Sequence, residues 1–203
     1  TGCIRPANGI YGVGGKASAS LIRSYLTAGD VPTWTSSVIQ NFVNAENVSI
    51  AHLLYEQRLV SPATSDKDQS SKVDIGGQSF VVTDPNPPIT FGDVYLLLST
   101  LSKTPTTFPS YPSILFFLLS YLIEWYVLLE NSYLSWLLPP LTNKDLLQLQ
   151  PALFAVCNPH TIVDDSRARE RPELGGLGFS GPIMTMDGMC REVEAWNRRV
   201  DSA

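Results

Sequence analysis

One stretch constrains this chain more than any other. Between Ser113 and Leu138 there is neither proline nor glycine, and from Pro105 to Asn143 only Glu124 and Glu130 are charged. Prolines stand at both ends, Pro109 and Pro112 before the stretch and Pro139 and Pro140 after it. Breakers kept out of the interior and set at the borders predict one continuous helix over about 113–138, roughly 39 Å long at 1.5 Å per residue. Its polar residues are in phase: Ser113, Ser120, Glu124 and Asn131 fall at i, i+7, i+11 and i+18, a narrow stripe on one side. Such a helix can sit in a protein core, span a bilayer, or lie in a membrane surface or along an apolar pocket. A span needs about 20 apolar residues, and Glu124 near its middle would cost about 2.5–3.5 kcal/mol facing lipid. No lysine or arginine flanks the run closely enough to set a topology. The single stripe favours the membrane-surface or pocket-lining use, then core burial, with spanning last.

The remainder reads as a mixed α/β chain. Gly2–Pro6 predicts a short buried strand, and the glycine run Gly9–Gly15 a loop. Ala17–Leu26 predicts a helix with Leu21, Ile22, Tyr25 and Leu26 on one face, ended by Ala28 and Gly29. Ser37–Val43 alternates like a strand, and Asn47 is a candidate cap for a helix over Val48–Leu59. SPATSDKDQSSK, residues 61–72, has no large apolar residue and predicts a flexible loop. Gly77–Asp84 predicts a strand, Thr90 a cap, and FGDVYLLLSTLSK the helix after it. Near the end, HTIV predicts a short strand, and Met186–Arg199 an amphipathic helix with Met189, Val193 and Trp196 on one face.

Several chemistries are excluded or weakened. A net charge of −5 gives no basic field for nucleic acid. Cys3, Cys157 and Cys190 are too few and scattered for a disulfide framework or a zinc pair, and a reducing compartment is expected. Gly12-Val-Gly14-Gly15-Lys16-Ala17 formally fits GxGxxA. A dinucleotide fingerprint also needs an acidic residue ending a second strand about 20 positions on, and Asp30 stands in a turn-like AGDVPTW. A P-loop is excluded, since no G-K-[ST] ends the run. None of the eight tyrosines has a lysine four residues later, so the proton-transfer pair of a short-chain dehydrogenase is not in this chain. His52 and His160 lie far apart without a partner motif, and a packed structural role is expected for His52. Asp164 and Asp165 suit a helix cap before Ser166 better than a metal pair, and no metal site is expected.

The pieces in their order resemble the C-terminal half of the 3-beta-hydroxysteroid dehydrogenase/isomerase family, which includes decarboxylating sterol-4-alpha-carboxylate 3-dehydrogenases. The resemblance is carried by TGCIRPANGIYGVGG at the start, FVNAENVSIAHLL (Phe42–Leu54) and GGQSFVVTDPNPPITFGD (Gly76–Asp93). The apolar run after FPSYP and the closing DDSRARERPELGGLGFSGPIMTMDGMCREVEAW complete it, covering nearly the whole chain. It departs from the family pattern in having Asn8-Gly9 where one residue is usual, Asn41 and Asn44 where an acidic residue and a tyrosine or histidine are usual, and Ser180-Gly-Pro where Gly-Tyr-x-Pro is usual.

The resemblance implies the C-terminal part of an extended short-chain dehydrogenase: the end of a Rossmann sheet plus a smaller mixed α/β substrate domain, with the long apolar helix in it. Residues 1–60 would be the last Rossmann strand, the nicotinamide-side loop and linking elements, and residues 73–203 the substrate-binding domain. The cofactor fingerprint and catalytic pair would lie upstream of Thr1, leaving no catalytic residue in this chain. The cofactor, NAD or NADP, would be touched here by Pro6, Ala7 and Asn8, and the substrate by Ile10 and Tyr11. The activity implied is oxidation of a ring 3-hydroxyl to a ketone with hydride transfer to nicotinamide. The partners expected are a sterol or other apolar small molecule and a membrane surface, at the cytoplasmic face of the endoplasmic reticulum. The alternatives are a secondary-metabolite reductase or nucleotide-sugar epimerase of the same fold, a truncated lipid-binding protein without activity, and a cytoplasmic location.

Overall fold

A computed structural model describes residues 1–14, 20–64, 73–132, 136–143, 146–147 and 149–202. Strand β1 (Cys3–Pro6) runs parallel to β5 (Ser79–Val82), with Ile4 opposite Phe80. Strand β2 (Ile10–Tyr11) runs parallel to β4 (Val43–Asn44), and β3 (Ile39–Gln40) pairs antiparallel with β6 (Ile89–Thr90). The expected buried strand at the start forms, but only Ile4 in it is buried, on the face packed against α2, while Cys3 and Arg5 alternate to the other face. The single strand expected over 37–43 is instead two dipeptides with different partners, separated by Asn41 and Phe42. Residue 161 of the expected HTIV strand makes one isolated bridge to Gln40.

Helix α1 (Leu21–Ala28) begins later than expected, capped by Ser20 and closed by Gly29. The earlier part of its expected range, 17–19, lies outside the described residues. Helix α2 (Ala45–Thr64) starts two residues before Asn47, so Asn47 is not its cap. The Asn44 side chain takes that role, accepting from the Glu46 N–H at 2.9 Å. The loop expected at 61–72 is helical to Thr64, and 65–72 lie outside the described residues. Helix α3 (Phe91–Leu101) has the expected Thr90 cap, completed by Asp93 as a capping box.

Helix α4 (Ser113–Ser132) is the long apolar helix; residues 133–135 lie outside the described residues and 136–137 form a turn, so it stops short of the expected Leu138. Nothing in the sequence before Pro139 marks that end. Of its side chains only Ser120 and Ile123 are buried, so α4 is not a core helix within the described residues. Trp125 and Leu122 are about two-thirds exposed, and by length and composition the helix could cross a membrane. The polar stripe is not uniformly covered: Ser120 is buried and bonds the Phe117 carbonyl, whereas Glu124 is exposed.

Helices α5 (Pro151–Cys157), α6 (Ser166–Arg169) and α7 (Thr185–Asp201) complete the chain, with a 3-10 turn at Pro172–Leu174. Three apolar clusters result. One packs β1 and β5 against α2 through Ile4, Phe80, Val82, Ala51 and Tyr55. A second joins α1, α3 and α7 through Ile22, Leu98, Met189 and Val193. The third holds α4 to α5 through Ile123 and Phe154, with the Trp34 ring stacked at 5.0 Å on Phe154. Gly188 lets α7 approach closely, since a Cβ there would lie 2.7 Å from the Tyr11 hydroxyl and 2.8 Å from the Asn44 amide.

Candidate functional site

The backbone leaving β1 turns at once. Ala7, 5% exposed, donates its N–H to the Val82 carbonyl at 2.9 Å, extending the β1–β5 ladder by one residue. Asn8 and Gly9 then leave the sheet and reach a cavity of about 350 Å³. Its other walls come from α1 (Leu21, Tyr25), the segment Val31–Thr35, Gln40 on β3, Phe91 and Tyr95 on α3, and Val156 and Cys157 on α5. The segment is held by a ladder to the lead-in of α4: Val31 N–H to Thr107 O at 3.0 Å, Thr33 N–H to Pro109 O at 2.9 Å, and Tyr111 N–H to Thr33 O at 2.8 Å. Pro32 borders both this cavity and a shallower apolar depression of about 290 Å³ on α4, lined by Tyr111, Leu115, Phe116 and Leu119.

No residue lining the 350 Å³ cavity carries a formal charge. Its walls are aromatic, with Tyr95 stacked on Phe108 at 4.6 Å and Tyr25 edge-on to both rings. Thr35 Oγ1 and Tyr95 Oη are 2.9 Å apart, a closed pair of hydroxyls. Burial pushes the phenols of Tyr25 and Tyr95 and the Cys157 thiol above their ordinary values. These groups therefore stay protonated near neutral pH, where they can donate hydrogen bonds but not take protons. The volume and lining suit a neutral, largely apolar ligand with few polar groups.

Two carboxamides at the loop end of the cavity, Asn8 and Gln40, make no side-chain hydrogen bond among the described residues. Gln40 is only 5% exposed. Gly9 has φ of +77°, and a Cβ there would lie 2.6 Å from the Phe42 ring and 3.1 Å from Gln40 Nε2. Glycine is thus required at this position for the loop to pass between Phe42 and the Gln40 amide.

The Asp84 carboxylate, 2% exposed, accepts at Oδ1 from the Asn44 N–H (2.8 Å) and Asn47 Nδ2 (2.6 Å). At Oδ2 it accepts from Tyr11 Oη (2.7 Å) and Thr185 Oγ1 (2.9 Å). Asn47 also donates to the Ile183 carbonyl at 2.7 Å and accepts from its N–H, so α2, the β5 end and the start of α7 meet here. Burial, with the Asp84 charge and hydrogen bond, drives the Tyr11 phenol far above its ordinary value. A second buried carboxylate, Glu192, accepts from the Gly12 N–H at 2.9 Å and from Ser20 Oγ, and burial pushes its pKa up. Both carboxylates anchor the glycine loop rather than face the cavity.

The expected site residues therefore separate. Asn8 lies at the cavity, Ala7 is buried behind it, and Pro6 is exposed at the strand end. Ile10 is 40% exposed but does not line the cavity, and Tyr11 is 1% exposed with its hydroxyl committed to Asp84. The Tyr11 hydroxyl thus belongs to the Asp84 anchor in this structure. His52 is exposed on α2 rather than packed, while His160 Nδ1 accepts from the Ile39 N–H at 2.9 Å. Asp164 caps Ser166 at 2.9 Å, which holds its carboxyl below the ordinary range, and Asp165 pairs with Arg169. The sequence reading missed Gln40, Thr35, Tyr25 and Tyr95 as a group. The hint was the polar pair Gln40-Asn41 between apolar residues in SVIQNFV.

Solved structures of the same fold include a UDP-glucose 4-epimerase from Thermotoga maritima with UDP-glucose, 14% identical with a TM-score of 0.55, covering 98% of this chain and 46% of that one. Another is a UDP-glucose 4-epimerase from Stenotrophomonas maltophila with NAD and formylated UDP-arabinopyranose, 11% identical with a TM-score of 0.54, covering 99% and 48%. A third is RMD from Pseudomonas aeruginosa with NADPH, 12% identical with a TM-score of 0.52, covering 98% and 48%. The chain thus spans about half the length of these structures and has the fold of the C-terminal part of an extended short-chain dehydrogenase. A comparison with curated proteins gives no match. The sequence profile of one family matches residues 1–107, from β1 through the capped helix α3 to the ladder that holds α4, more than half of the chain. The β1 loop and the Asp84 anchor are accordingly those of a member of the 3-beta hydroxysteroid dehydrogenase/isomerase family, to which this chain belongs.

Proposed function

We propose that this chain is the C-terminal, substrate-binding part of an NAD(P)-dependent 3-beta-hydroxysteroid or sterol dehydrogenase, which oxidises a ring 3-hydroxyl to a ketone. The observation that carries the reading is the cavity of about 350 Å³, walled by Tyr25, Phe91, Tyr95 and Trp34 and free of charged side chains. A rigid apolar ring system gains from each such contact, at about 25 cal/mol per Å² of apolar surface buried. A nucleotide sugar brings a diphosphate whose charges, buried without a cation, cost several kcal/mol. Arg23 and Arg199 instead border a separate cleft of about 10 Å³ beside Glu192, too small for a diphosphate. This contrast favours the sterol reading over the nucleotide-sugar one.

The residues fit a nicotinamide at the β1 loop. Ala7 is small, Gly9 has no side chain, and the unpaired Asn8 carboxamide is complementary to another carboxamide. Pro6, Ala7 and Asn8 would hold one face of that ring, which when bound accepts the hydride. The chain's own part is to orient the ring alcohol, exclude water through its aromatic wall, and leave proton transfer to groups outside it. The exposed apolar face of α4 would rest on a membrane surface, the cytoplasmic face of the endoplasmic reticulum in this reading. The depression at Leu115 and Phe116, which shares Pro32 with the cavity, would then give an apolar substrate a short route in. The test is NAD(P)H formation by the full-length gene product against 3-hydroxysteroids and nucleotide sugars. Turnover of the steroids supports the reading; turnover of nucleotide sugars alone refutes it.

A further inference from the structure

We infer that Gln40 is the specificity-determining residue of this cavity, and that its carboxamide reads a neutral oxygen group on the ligand, alcohol or ketone, in preference to a carboxylate. The inference rests on the steroid reading above and goes further, assigning recognition to one side chain. Gln40 sits on the short strand β3, whose backbone is occupied by pairing with Ile89 and Thr161. Its side chain is 95% buried yet has no hydrogen-bond partner among the described residues. A carboxamide that opens onto a cavity wall without a protein partner is left to bond with whatever fills that cavity. This one lines the cavity at its loop end, with Nε2 only 3.1 Å from the position a Cβ on Gly9 would take.

The chemistry of the group defines its ligand. A carboxamide offers one acceptor oxygen and two N–H donors, so it can accept from a ring alcohol and donate to the ketone formed from it. One side chain can therefore hold the same ligand oxygen before and after oxidation. A carboxylate next to that carbon would find no cation among the residues lining the cavity. Burying such a charge against neutral walls is strongly unfavourable. The ligand class assigned is thus a neutral ring alcohol or ketone without an adjacent carboxylate.

The test uses the full-length gene product and calorimetric titration with four probes: a 3β-hydroxysteroid, its 3-ketone, the 3-deoxy analogue and the 4α-carboxylated 3β-hydroxysteroid. The wild-type chain is expected to bind alcohol and ketone about tenfold tighter than the deoxy compound, the loss of one or two hydrogen bonds. The carboxylate should bind more weakly than the neutral alcohol. Gln40→Leu should bring alcohol and ketone down to the deoxy level. Gln40→Met keeps the length and removes donor and acceptor together, so it should lose alcohol and ketone about tenfold and leave the deoxy compound unchanged, a split that loss of packing alone cannot produce. If Gln40→Leu fails to fold by circular dichroism, the near-isosteric Gln40→Met decides. Unchanged ratios in a folded variant overturn the role of Gln40 while the steroid reading stands. Tighter binding of the carboxylate than of the alcohol overturns the neutral-ligand assignment. Binding of none of the four by the wild-type chain overturns both this inference and the reading it rests on.

Discussion

The Asp84 anchor gives the sharpest stability prediction. Four donors converge on one carboxylate with no cation among them: the Asn44 N–H, Asn47 Nδ2, Tyr11 Oη and Thr185 Oγ1. Hydrogen bonds to a charged group contribute about 1.5–3 kcal/mol each, so the gross stabilisation is about 6–12 kcal/mol. Desolvating the carboxylate takes back several kcal/mol. Asp84→Ala removes the acceptor and strands buried donors, and should cost about 3–5 kcal/mol. Asp84→Asn should cost about half as much, because the Tyr11 and Thr185 hydroxyls can turn and accept from its new amide. Tyr11→Phe removes one charged hydrogen bond at a residue that is 1% exposed, and should cost about 2 kcal/mol. Urea unfolding followed by tryptophan fluorescence measures all three and the Asp84→Ala/Tyr11→Phe double variant. The double variant should cost about 1.5 kcal/mol less than the sum of the singles. Additivity within 0.5 kcal/mol, roughly the scatter of independent sites, would refute the coupling and with it the role of Tyr11 in the Asp84 anchor.

Three other outcomes are expected. Gly9→Ala places a Cβ 2.6 Å from the Phe42 ring at a positive φ, and should lower stability by about 2–4 kcal/mol, measured as a shift in denaturant midpoint. For Glu192 burial raises the folded-state pKa above its unfolded value, so the stability it lends is complete below about pH 4.3 and is lost as pH rises through the folded value. The stability of the wild type relative to Glu192→Gln should therefore fall as pH rises from 4 and then level off; a flat or rising difference contradicts this. For α4, replacing the exposed Leu122 and Trp125 by glutamine should abolish flotation with liposomes and leave the urea midpoint within about 0.5 kcal/mol. Flotation that is absent in the wild type, or unaffected by the substitutions, counts against a membrane surface.

What could be read in advance was local chemistry. Thr90 and Asp93 are three residues apart, and their reciprocal capping box is written in that spacing. The alternation of SFVV and the apolar face of the last helix were legible for the same reason. Asn47 misled because a cap and a buried bridge use the same side chain. Its real partners, Asp84 and Ile183, lie 37 and 136 residues away, a separation no local pattern encodes. The end of helix α4 was not legible because no glycine or proline marks Ser132, and its Ser120 is buried where phase alone grouped it with the exposed Glu124. The cavity was invisible to the sequence for a similar reason. It is assembled from positions between Asn8 and Cys157 that touch only after α1, α3 and α5 have packed.

Everything turns on where the apolar ligand sits, and photo-crosslinking measures that directly. A 3β-hydroxysteroid bearing a diazirine on its rings would be irradiated with the chain and the adducts mapped by mass spectrometry. The account predicts labelling of Tyr25, Phe91 and Tyr95, displaced by unlabelled 3β-hydroxysteroid and untouched by UDP-glucose. Labels confined to the exposed face of α4, or displaced equally by UDP-glucose, would contradict it.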